Sequence, residues 1–175
     1  MIHVGKPAPD FTLEGVFKGE VKKYSLGGKA AKWLVLFFYP KDFTYICPTE
    51  IKAFSQHAHD FGDIGAEVLG ISVDSVESHK KWVESGELGD VNFPLLSDEG
   101  KTMTNDYGVM KEDEQLALRG TFIIDPDGVV RYMLVSDNDV GRSVTETLRV
   151  IKALQMGKLC PVEWEPGKPT VGPST

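Results

Sequence analysis

The chain has 175 residues, 41% apolar and 26% charged, which suits one compact domain with a sizeable core. Its formal net charge of -7, with no Lys/Arg run, argues against steering toward nucleic acid or an anionic membrane. No apolar run reaches membrane-span length, and Met1-Ile2-His3-Val4-Gly5-Lys6 lacks the apolar centre of a signal peptide, so a cytosolic chain is expected.

Residues 33–39 (WLVLFFY) form a short continuous apolar run and predict a buried strand. Residues 48 to about 61 predict a helix, with Ile51, Phe54, Ala58 and Phe61 as its apolar stripe. A second buried strand is expected at 67–73, a helix at 76 to about 85 carrying Trp82 and Val83, and a short strand at 93–96. Residues 99–107 suit a short helix closed by Gly108. Strands at 121–125 and 129–135 flank Pro126-Asp127-Gly128, a hairpin turn. The last helix, 143 to about 155, opens on Ser143-Val144-Thr145-Glu146, a capping-box pattern.

Alternating strands and helices followed by a hairpin and a helix predict an α/β fold: a central mixed sheet flanked by helices, of thioredoxin-like architecture. A flavodoxin-like sheet would lack the late antiparallel hairpin. The Gly/Pro-rich tail reads as an extended arm, so the expected division is a domain at 1–156 and an arm at 157–175.

There are two cysteines, Cys47 and Cys160, roughly 110 residues apart, which is neither a CxxC redox motif nor a zinc spacing. Structural disulfides are rare in the cytosol, so free, catalytic or redox-sensing thiols are expected. Cys47 stands at a helix start, where unpaired backbone N–H groups and the dipole favour a thiolate. Pro48 fits the first helical position, and Glu50 is spaced to bond back to the helix start. The alternative is a structural cysteine, packed as a small apolar residue.

The run Pro40-Lys41-Asp42-Phe43-Thr44-Tyr45-Ile46-Cys47-Pro48-Thr49-Glu50 resembles the active-site signature of the peroxiredoxins. Three further stretches match in order: Ser72-Val73-Asp74-Ser75, Leu118-Arg119-Gly120-Thr121-Phe122-Ile123-Ile124-Asp125 and Val140-Gly141-Arg142-Ser143. Leu159-Cys160-Pro161-Val162-Glu163-Trp164 resembles the segment bearing the second cysteine, so the likeness is to the typical two-cysteine class, which includes the peroxidase subunit of bacterial alkyl hydroperoxide reductases.

The resemblance implies that Cys47 attacks the hydroperoxide and that Arg119 stands beside the thiolate. It implies that Thr44 orients the peroxide, Pro40 shields the sulfur, and Glu50 with Arg142 fixes the arginine network. Cys160 is implied as the resolving thiol, joined to Cys47 across a subunit boundary, with local unwinding around Cys47. Peroxide cleavage needs a thiolate, whereas an ordinary cysteine has a pKa of about 8.5. An arginine fork can hold the sulfur and both peroxide oxygens in a way lysine cannot.

The implied partners are a hydroperoxide substrate, thioredoxin or a disulfide reductase, and further copies of the chain as a homodimer, often five dimers in a ring. No cofactor or metal is expected. His57 and His59 diverge on their helix by about 200°; His3 and His79 read as isolated, and no Walker, Rossmann, flavin or haem pattern is present. Glu112-Asp113-Glu114 reads as a solvated turn. Sensitive family members carry Gly-Gly-Leu-Gly and a C-terminal helix ending near Tyr-Phe. This sequence has Gly86-Glu87-Leu88-Gly89 and stops at Thr175 without such a helix, so resistance to overoxidation is expected. A redox sensor or chaperone-like assembly is the alternative role. A thioredoxin-like disulfide exchanger is disfavoured because it wants a second cysteine three residues away.

Overall fold

The computed structural model describes residues 1–28 and 30–172, so the last three residues of the expected arm lie outside the described residues. By internal contacts the chain forms two compact units, Met1–Arg142 and Ser143–Thr175.

The first unit is built on a seven-stranded mixed sheet. Its strands are β1 (Thr12–Phe17), β2 (Glu20–Ser25), β3 (Trp33–Phe38), β4 (Ala66–Ser72), β5 (Leu95–Ser97), β8 (Arg119–Ile124) and β9 (Val130–Ser136). They lie in the order β2-β1-β5-β4-β3-β8-β9. The pairs β3–β4 and β4–β5 are parallel and the rest antiparallel. A small second sheet pairs β6 (Met110–Lys111) with β7 (Leu116–Ala117) around the acidic turn. The helices of this unit are α1 (Cys47–Gln56), α2 (Ala58–Asp63), α3 (Val76–Glu84) and α4 (Thr102–Asp106). This helix-flanked mixed sheet is the expected thioredoxin-like fold.

Strand β3 is central and buried on both faces, which explains its unbroken apolar run. One face gives Leu34, Leu36 and Phe38 to the main core with Ile71, Leu96, Tyr107 and Phe122. On the other, Phe37 stacks on Phe54 of α1 with ring centroids 4.3 Å apart. Burying aromatic side chains on both sides, at about 25 cal/mol per Å² of apolar surface, holds the strand end and α1 in fixed relation.

Two features differ from the expectations and a third agrees with them. The hairpin β1–β2 has no counterpart in the predicted elements; it turns through Lys18 and Gly19, both at positive φ. The first expected helix is two, because His57 at φ -97 and ψ 7 ends α1 before α2 begins. The hairpin β8–β9 turns through Gly128 at φ 80, as Pro126-Asp127-Gly128 suggests.

The second unit holds α5 (Val144–Met156), capped by the Ser143 hydroxyl, which accepts from the Glu146 N–H at 3.2 Å. Beyond α5 the tail is not simply extended. Leu159 and Val171 form an antiparallel bridge, and Trp164 is buried, donating its indole N–H to the Lys168 carbonyl at 3.0 Å. Among the described residues no helix is long and apolar enough to cross a membrane.

Candidate active site

Cys47 is the first residue of α1 and is fully buried. Pro48 follows it within the first turn, where a missing N–H costs no helical hydrogen bond. The helix start thus puts its positive dipole end in the neighbourhood of the sulfur, while the Thr49 and Glu50 N–H groups donate to the Ile46 carbonyl at 3.0 and 3.3 Å.

Arg119 opens β8, next to the central strand, and its side chain is buried. One terminal nitrogen, Nη1, lies 3.5 Å from Cys47 Sγ and donates to Glu50 Oε1 at 2.7 Å. Its Nε donates to the Asn138 carbonyl at 2.9 Å. The next position in the strand accepts only glycine without a shift of its neighbours: a Cβ at residue 120 would stand 2.7 Å from Val109 Cγ1.

Glu50 is buried one turn along α1. Its carboxylate does not turn back to cap the helix, as its spacing suggested, but bridges two arginines. Arg142 Nε donates to Glu50 Oε2 at 2.7 Å, and Nη2 bonds the same oxygen. Nη1 of Arg142 donates to the Gly120 carbonyl at 2.8 Å, and the guanidinium lies over the Phe37 ring, 5.2 Å from its centroid. Burial pulls the Arg142 pKa down, while Glu50 opposes the shift; an arginine starts high enough to stay charged. Two guanidiniums and one carboxylate leave one net positive charge beside the buried sulfur.

The other expected residues lie differently. Thr44 is half-buried, and its hydroxyl donates to the Lys41 carbonyl at 3.0 Å. Pro40 is buried just past the end of β3. Cys160 belongs to the second unit, where its thiol contacts the Ala153 carbonyl at 3.7 Å. Both cysteines are free. Glu87, in the Gly86-Glu87-Leu88-Gly89 stretch, accepts the Trp82 indole N–H at 2.8 Å.

Sequence reading did not find Asn138, whose backbone carbonyl seats Arg119; a carbonyl leaves no residue-type signal. It also passed over His79, which is fully buried against Asp42. A cleft of ≈ 590 Å³ lined by Tyr24, Trp33, Phe61 and Phe93, among others, includes none of the expected site residues. Among the described residues no group of three or more His, Cys, Asp or Glu side chains could hold a metal ion.

The AhpC/TSA family profile matches residues 4–133. Peroxiredoxin-2 of Rattus norvegicus is 51% identical over 180 residues, covering 98% of this chain and 91% of that protein. The mitochondrial thioredoxin-dependent peroxide reductase of Mus musculus is 50% identical over 179 residues, covering 98% of this chain and 70% of that protein. The reduced 2-Cys peroxiredoxin of Plasmodium vivax superposes with a TM-score of 0.93 at 38% identity, covering 99% of this chain and 95% of the other. With half its residues shared along nearly its whole length, and its fold shared with a solved relative, the chain belongs to the AhpC/TSA family, the peroxiredoxins.

Proposed function

We propose that the chain is a thiol peroxidase that reduces hydrogen peroxide and small organic hydroperoxides. The observation that carries this reading is the 3.5 Å approach of a buried, carboxylate-anchored guanidinium to a helix-start cysteine sulfur. The Cys47 thiolate forms an S–O bond as the peroxide O–O bond breaks, and the departing oxygen leaves as water or alcohol after protonation. Arg119 faces the sulfur and the negative charge that moves from it to the leaving oxygen. Thr44 orients the peroxide, Pro40 shields the sulfur, and Glu50 with Arg142 anchors Arg119.

The resulting sulfenic acid condenses with the Cys160 thiol, forming a disulfide and releasing water. We assign the disulfide to Cys47 of one copy and Cys160 of another, carried on the arm at 157–175 beside the domain at 1–156. The chain then acts as a homodimer, assembling further to a decamer. A dithiol donor, thioredoxin or a disulfide reductase, returns two electrons and two protons; the mouse relative is named for dependence on thioredoxin. Free thiols of this kind suit the reducing cytoplasm.

A non-reducing gel after one equivalent of peroxide tests the cycle. Wild type is expected to give a disulfide-linked dimer, and Cys47→Ser and Cys160→Ser each to lose it. A monomeric disulfide would overturn the intersubunit assignment, and an unreacted wild type would overturn the peroxidase reading.

The Gly86-Glu87-Leu88-Gly89 stretch supports fast disulfide formation and resistance to overoxidation. Turnover at low millimolar peroxide is expected to leave Cys47 without sulfinic acid by mass spectrometry; sulfinylation with rapid activity loss would reverse that assignment.

A further inference from the structure

The loop between β3 and α1, residues 39–46, delivers Cys47 and carries Thr44. It holds a strained residue: Phe43 has φ 55, the left-handed region, which costs a non-glycine residue about 1–2 kcal/mol. Such a conformation persists only where the surroundings over-determine it. The restraint lies at Asp42, one residue earlier, whose side chain is buried.

The Asp42 carboxylate accepts the Tyr39 hydroxyl at 2.9 Å on Oδ1 and the Ser78 hydroxyl at 2.8 Å on Oδ2. Its Oδ2 also meets His79 Nδ1 at 2.7 Å. The Asp42 backbone N–H donates to Asp74 Oδ2 at 2.9 Å. One loop residue is thereby tied to the end of β3, to the segment after β4 and to α3. On its other side His79 Nε2 meets the Leu96 carbonyl of β5 at 3.0 Å.

A carboxylate and a carbonyl are acceptors, so beside an ionised Asp42 both ring nitrogens of His79 donate. Only the imidazolium has two N–H groups. His79 and Asp42 thus have the geometry of a buried ion pair, His79 fully buried and Asp42 nearly so. The titratable groups facing the ring are Asp42 from the loop, Asp74 beyond β4 and Tyr39 just past β3; β5 presents only a backbone carbonyl.

We propose that His79 is a positioning residue for peroxide reduction: as a buried imidazolium it fixes Asp42, and through Asp42 the turn that presents Thr44 to the peroxide. This rests on the peroxidase reading. The distances support it directly, since Thr44 is seated on the Lys41 carbonyl and that peptide leads into Asp42. Burial opposes the charge on His79, but the hydrogen bond and charge of Asp42, the Leu96 carbonyl and Asp74 raise its pKa above the ordinary value. A raised histidine pKa contributes restraint that is full below the unfolded value and is lost as pH rises through the folded one.

The test compares two reactions of the same sulfur. Single-turnover oxidation of Cys47 by hydrogen peroxide needs Thr44 in place; alkylation by iodoacetamide needs only the thiolate. In His79→Gln the peroxide rate is expected to fall about tenfold to a hundredfold while alkylation is unchanged. The wild-type peroxide rate should decline on the alkaline side, a limb that His79→Gln lacks. Tyr39→Phe, which removes one donor to Asp42, should give the same pattern more weakly. Nitrogen NMR of the reduced wild type at neutral pH should show both His79 ring nitrogens protonated, and this decides the case if His79→Gln fails to fold. A neutral ring, equal losses in both reactions, or an unchanged peroxide rate in folded His79→Gln would overturn the proposal. Failure of the underlying reading is separate: wild-type Cys47 would then not react with peroxide at all.

Discussion

Replacing Arg119 by methionine is expected to slow the oxidation of Cys47 by hydrogen peroxide by about a hundredfold to a thousandfold, the usual scale for losing a donor aimed at developing charge. Methionine keeps the length and apolar bulk of the side chain, so the buried site stays filled. What disappears is the Nη1 donor 3.5 Å from the sulfur and the positive charge behind it. The fold should survive, because Glu50 keeps its bonds to Arg142. Arg119→Lys should recover only part of the rate. An ammonium is a point charge that cannot span the carboxylate, the sulfur and a peroxide oxygen from one rigid plane. Stopped-flow oxidation of the reduced variants checks both, and a wild-type rate in Arg119→Met would remove Arg119 from the chemistry.

The same residue illustrates what can be read from the chain. Cys47, Pro48 and the run at 33–39 were legible because a buried parallel strand and a helix start leave local patterns in residue type. Arg119 was legible only as part of an ordered family motif; nothing local tells which thiol a strand arginine faces across 72 positions of sequence. Hairpin β1–β2 escaped because its second strand, Glu20–Ser25, is mostly exposed and polar, and its turn lacks the usual Asn-Gly signal. The break at His57 escaped because the apolar stripe runs on through Phe61 and no glycine or proline marks the end of α1. Glu50 was expected at the helix start on spacing alone, but a buried carboxylate goes to the strongest available donors, here two guanidiniums. His79 looked isolated because its partner Asp42 lies 37 positions away, and only the fold closes that distance.

Glu50→Gln is expected to be the most destabilising single change at the site. Glu50 is the one carboxylate between two buried arginines, with side-chain exposures of 2–3% on all three. Removing its charge leaves Arg119 and Arg142 as two buried cations facing each other across a neutral amide. Breaking a buried pair in this way costs about 3–5 kcal/mol, far more than an exposed ion pair contributes. For a chain of this size that corresponds to a fall in Tm of roughly 6–20 °C. Thermal melts of the reduced variants at one fixed protein concentration check it, since self-association would otherwise shift the apparent midpoint. The decisive comparison is the double variant Glu50→Gln/Arg142→Met. If the cost comes from uncompensated charge, removing the second cation as well should return part of the lost stability, so the two changes should fail to add. If instead the double variant is less stable than Glu50→Gln by the full cost of Arg142→Met alone, the three side chains do not act as a unit. The arginine beside Cys47 would then need another explanation for its fixed position.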